Sequence, residues 1–100
     1  MQLFFLLRLR TESADREILT PKLVESEIKR VQALLARGTI RDAWKRSDGV
    51  SVVLLFDGKT EVECQAVINT LPFSQAGILE IQMVVPVDPY LDIYPMSESG

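Results

Sequence analysis

Glu80 is the residue whose type and setting most suit it to chemistry. It stands in Leu79-Glu80-Ile81-Gln82-Met83-Val84-Val85, where strand periodicity puts Glu80, Gln82 and Val84 on one face and Leu79, Ile81, Met83 and Val85 on the other. Desolvation in an apolar cavity raises a carboxylate's pKa, and a nearby arginine lowers it again. Such a carboxylate is a general base for a carbon acid, and a second polar group can stabilise the enolate. Glu80 is therefore the expected base, with Arg46 or Arg8 holding the negative oxygen. In Asp42-Ala43-Trp44-Lys45-Arg46 the small Ala43 suits the side packed on helices, leaving Asp42, Trp44 and Arg46 to face the cavity with Gln82. Each assignment has a structural alternative. Glu80 and Arg46 could be charges that protect edge strands from wrong pairing or a structural ion pair at the dimer seam, Asp42 a solvated edge residue, and Trp44 the core or rim of a subunit interface.

Composition narrows the chemistry. The chain has 100 residues, with 11 basic against 14 acidic side chains, a net charge of −3 and no histidine. An acidic chain has no electrostatic reason to seek nucleic acid or an anionic membrane. Without histidine there is no His-based triad and no His-ligated zinc, iron or haem. The single cysteine, Cys64, forms no intramolecular disulfide and no thiolate cluster, and its place on an apolar helical stripe suits inert core. Asp48-Gly49 and Asp57-Gly58 are turn pairs that lack the repeat of a dinucleotide or phosphate loop. No metal and no cofactor are expected. The apolar run Met1 to Leu7 is too short for a membrane span and lacks a basic lead-in, so a cytoplasmic protein is the default.

The elements that must position these residues alternate between two periodicities. Residues 2–9 and 50–56 read as strands whose stretches Leu3 to Leu7 and Val50 to Phe56 are apolar on both parities, as strands buried on both faces are. Residues 39–46 and 78–87 alternate, and Ser47-Asp48-Gly49 turns the second strand into the third. Thr20-Pro21 opens a helix with the stripe Val24, Ile28, Val31 and Leu35, and Gly38 ends it. Thr60 to Glu63 is a capping-box pattern opening a second helix that buries Cys64, Val67, Ile68 and Leu71, with Pro72 as its stop. Residues 11–15 read as a loop, and Pro86, Pro89 and Pro95 as breaks in regular structure.

The order is β-α-β-β-α-β, an α+β fold of the ferredoxin-like kind with a four-stranded antiparallel sheet, over residues 1–88. Residues 89–100 form a C-terminal arm bearing Tyr90, Leu91, Ile93 and Tyr94, suited either to crossing onto a partner or to packing on its own subunit. In that topology the first and third strands are central, which fits their apolar composition. Two helices cover one face of the sheet. The other is left apolar, with Val53, Leu55, Trp44 and Val84 on it, and calls for a partner. A homodimer packed sheet on sheet is the economical solution, with a ligand cavity at the junction.

Gly38-Thr39-Ile40-Arg41-Asp42-Ala43-Trp44, then Leu71-Pro72-Phe73, then Gly77-Ile78-Leu79-Glu80-Ile81 resemble the muconolactone isomerase-like family of dimeric α+β barrels over roughly residues 24–90. Gly38, Arg41, Trp44, Leu71, Pro72 and Glu80 match that pattern. Asp42 departs from it, where a histidine commonly follows the arginine, and so does Ser74-Gln75-Ala76-Gly77. Those departures look more like the broader relatives than the lactone isomerases themselves. The resemblance implies a cofactor-free enzyme that shifts a double bond in a lactone or small organic acid by proton transfer. It carries no catalytic residue across. A ligand-binding or assembly barrel without catalysis, or a cofactor-independent oxygenase of the same fold, is the alternative.

Overall fold

The two apolar strands lie side by side at the centre of the sheet. In the computed structural model, which describes residues 2–10 and 17–88, β1 (Gln2–Leu9) and β3 (Ser51–Asp57) pair antiparallel, flanked by β2 (Asp42–Lys45) and β4 (Leu79–Val87). The sheet order is β2-β3-β1-β4, all antiparallel: the ferredoxin-like α+β arrangement expected from the sequence. Leu3, Phe5 and Leu7 of β1 and Leu54 and Phe56 of β3 point to the helix side and make the core. Phe5 and Phe56 meet edge to face at 5.4 Å between ring centroids. The expected loop over residues 11–15 and the arm 89–100 lie outside the described residues.

Above the core sit α1 (Pro21–Ala36), α2 (Glu61–Ile68) and the single turn α3 (Pro72–Gln75). Thr20 caps α1 by accepting the Leu23 N–H at 3.1 Å, and Pro21 fills the first helical position, where no N–H is needed. Thr60 and Glu63 exchange the bonds of a capping box at 2.9 and 3.2 Å. Thr60→Ala removes one of them and is expected to lower stability by about 1 kcal/mol, measurable as a shifted urea midpoint. Within the described residues, no helix is long and apolar enough to cross a membrane.

Four expectations are corrected. Pro72 does not only stop α2: Thr70 and Leu71 bond back to Val67 and Ile68, and Pro72 then opens α3. Pro86 lies inside β4, where an edge strand can spare one N–H. The buried face of α1 is turned towards Glu27, Val31 and Leu34, leaving Ile28 and Leu35 exposed at its rim. Finally, a bulge shifts the β1–β4 register between Leu6 and Leu7, with Gln82 as the extra residue. Past it the parity inverts, so Val84 packs on the core while Met83 and Val85 take the face away from the helices.

Candidate functional site

The register arranges the helix-free face in rows. Arg46, Ser51, Arg8 and Glu80 cross the sheet at one end, the Arg46 N–H bonding to the Ser51 carbonyl at 2.9 Å. Next come Trp44, Val53, Leu6 and Met83, and then Asp42, Leu55, Phe4 and Val85. Three of the anticipated polar residues therefore share one row. They do not converge. With strands about 4.8 Å apart, the Cα atoms of Arg46 and Glu80 are about 14 Å from each other. Glu80, its side chain 45% exposed, pairs instead with Arg10 at 3.7 Å. Arg46 pairs with Asp48 at 3.8 Å, so within the described residues of one chain Glu80 and Arg46 each have another partner. Asp42 and Trp44 do share the parity of Arg46, but Gln82 sits on the bulge and cannot be placed by simple alternation.

A pocket of about 270 Å³ opens on the other side, between α1 and the sheet. Glu27, Ile28, Val31 and Gln32 form its helical wall. Ala43, Lys45, Val52 and Leu54 form the sheet wall, with Trp44 bordering it at the edge strand and Leu71, Phe73 and Leu79 completing the lining. Apart from Glu27, Gln32 and Lys45, these side chains are hydrophobic, the composition of a small-molecule site.

Glu27 was not among the residues singled out from the sequence. Its side chain lies on the buried face of α1, the residue only 9% exposed, and accepts the Phe73 N–H at 2.9 Å. Local sequence dictates that bond. The first N–H groups of a helix lack intrahelical partners. Pro72 has none to offer, and Leu71, at the cap, has no side-chain acceptor. Glu27 caps α3 from another helix. Arg30 fixes the same junction by donating to Thr70 Oγ1 at 2.9 and 3.3 Å, while the Thr70 hydroxyl donates to the Val67 carbonyl at 2.6 Å. Burial pushes the Glu27 carboxyl above its usual range, and the bond from Phe73 pulls partly against that rise.

A buried carboxyl in an apolar wall can hold or deliver a proton. Cys64 is less suited to reaction: it is fully buried, and burial raises its thiol pKa, disfavouring the thiolate. Among the described residues, no group of three or more His, Cys, Asp or Glu side chains is arranged to hold a metal ion.

Comparison with known proteins supports this architecture. No family model matches the chain, and no curated protein sequence matches it. A solved structure does: 5-chloro-2-hydroxyhydroquinone dehydrochlorinase from Burkholderia phenoliruptrix AC1100, in complex with 2,5-dihydroxybenzoquinone. The likeness has a TM-score of 0.66 at 13% identity and covers 90% of this chain and 97% of that one. The two share a fold. The shared architecture is the four-stranded α+β fold, and neither a family model nor a sequence match places the chain in the muconolactone isomerase-like family.

Proposed function

We propose that this chain is a small-molecule enzyme that uses the pocket between α1 and the sheet, with Glu27 as its proton-transferring group. One observation carries the reading: a carboxyl side chain, buried and raised in pKa, set in a mostly apolar pocket wall. The ionised carboxylate takes a proton from a carbon next to a carbonyl. The C–H electron pair becomes the C=C bond of an enolate, and the carbonyl π pair moves to oxygen. Gln32 and Lys45 are the lining groups able to donate to that oxygen.

Return of the proton from Glu27 to a different carbon moves a double bond, the lactone or small-acid isomerisation suggested by the family resemblance. Expulsion of a leaving group from the neighbouring carbon gives elimination instead, the class named for the solved neighbour. Both outcomes start from the same proton removal.

A second reading places the base at Glu80 on the helix-free face, with Arg46 or Arg8 as anion holder and Asp42, Trp44 and Gln82 as ligand contacts. The row Arg46, Ser51, Arg8, Glu80 favours it. The two readings separate in one experiment. An unsaturated five-membered lactone in D₂O is followed by NMR for loss of its acidic C–H, with wild type, Glu27→Gln and Glu80→Gln in parallel. Loss of exchange in Glu27→Gln alone supports the helix-side pocket, and loss in Glu80→Gln alone transfers the assignment to the other face. Exchange unaffected by either substitution removes both. The same reading takes the molecule as a homodimer joined through the helix-free sheet face.

A further inference from the structure

The pocket carries one cation at its edge. Lys45 lies on the helix-facing parity of β2, opposite Val52, and borders the pocket while remaining exposed to solvent. Among the described residues Lys45 forms no ion pair, whereas its basic neighbours are committed: Arg46 to Asp48, Arg41 to Asp57 and Lys29 to Glu25. A lysine in this setting covers apolar surface with its stem and keeps its ammonium hydrated at the mouth. The ammonium is therefore available to a ligand without the penalty of a buried charge.

Size limits what can enter. A volume of about 270 Å³ lies between the roughly 150 Å³ of an apolar cavity that takes benzene and the larger pockets, up to about 1,000 Å³, that hold drug-sized ligands. One substituted ring, or a branched chain of similar bulk, fits that range. An anionic oxygen carried by such a body would be costly to desolvate in the apolar interior unless paired, and Lys45 offers the pairing at the mouth.

We propose that Lys45 is a specificity-determining residue of this pocket, selecting compact apolar ligands that bear a single negatively charged oxygen group such as a carboxylate. The proposal rests on the reading of the pocket as a small-molecule site. It gives Lys45 the anion-holding part that the sequence had suggested for Arg46 or Arg8.

The test uses two probes of matched shape, benzoate and neutral benzamide, titrated into the full chain. Binding is followed on the methyl signals of Val31, Val52 and Leu54. Wild type is expected to bind benzoate about tenfold or more tightly than benzamide, as removal of a hydrogen bond to a charged group generally changes affinity. Lys45→Met should abolish that preference and Lys45→Arg should keep it. Equal binding of both probes by wild type, or a preference that survives in Lys45→Met, overturns the role of Lys45 and leaves the pocket standing. Probes that shift none of the three residues at millimolar concentration overturn the pocket itself and the proposal with it.

Discussion

Glu27→Gln is expected to lower turnover by about 10²- to 10⁴-fold, the span contributed by a positioned acid–base group, with the protein still folded. The amide has the shape of the carboxyl group, and its oxygen can still accept the Phe73 N–H now held by Glu27 at 2.9 Å. The lost property is the ability to take and return a proton. Glu27→Ala isolates the other role of the side chain. It leaves a buried N–H at the start of α3 without an acceptor and should be about 1–3 kcal/mol less stable than the glutamine variant. Stability against pH gives an independent readout. The folded pKa lies above the ordinary 4.5, so the folded state binds the proton more tightly than the unfolded state does. The contribution of this group to stability is then fully present below 4.5 and is lost as pH rises through the folded value. Glutamine has no such loss. Glu27→Gln should therefore melt higher than wild type at neutral pH, with the gap closing below 4.5. A gap independent of pH, or full turnover in the variant, would end the acid–base assignment.

The same residue shows where reading the sequence succeeds and where it stops. Apolarity on both parities marked β1 and β3 as the central strands, because only a strand with neighbours on both sides and cover on both faces can use it. The capping box and the glycine at position 38, with φ of 74°, were legible because they depend on a few adjacent residues. The buried face of α1 was less so. Val24, Ile28, Val31 and Leu35 make a convincing stripe, yet Glu27, Val31 and Leu34 form the face that packs. A carboxyl group is buried there because the N–H of Phe73, 46 positions along the chain, needs an acceptor. That requirement is tertiary. Its trace in the sequence is slight: one glutamate in phase with Leu23, Val31 and Leu34, beside a later Leu-Pro-Phe whose helical turn has no cap of its own.

The bulge at Gln82 was hidden for a related reason. Strict alternation is a rule for an uninterrupted ladder, and one extra residue reverses every assignment beyond it. Val84 thus entered the core, while Met83, 52% exposed, joined the opposite face. Glu80 precedes the bulge and kept its expected parity across from Arg8. The exchange leaves the helix-free face at least as apolar as expected, since Met83 and Val85 stand there in place of Val84.

Val53→Asp is accordingly expected to weaken self-association by about 10³-fold, because an unpaired charge enclosed at an interface costs several kcal/mol, and about 4 kcal/mol corresponds to that factor. Val53 stands in the apolar middle row with Trp44, Leu6 and Met83, between the polar row of Arg46, Ser51, Arg8 and Glu80 and the largely apolar row of Asp42, Leu55, Phe4 and Val85. Trp44 is 52% exposed in the single chain, and a contiguous face of this composition is typical of surfaces that meet a partner. Both centrally placed β1 and β3 contribute to it, so a two-fold partner would bring the middle rows together. In the separated subunit the aspartate faces water, and the fold should survive with a loss of about 1 kcal/mol from strand propensity. Val62→Asp is the matched control: Val62 is 77% exposed on α2, away from the sheet face, and its replacement should leave association unchanged. Sedimentation equilibrium across micromolar concentrations distinguishes the outcomes. A wild-type monomer throughout would refute pairing through this face. A dimer unaffected by Val53→Asp would move the interface to α1, where Ile28 and Leu35 are the exposed apolar residues.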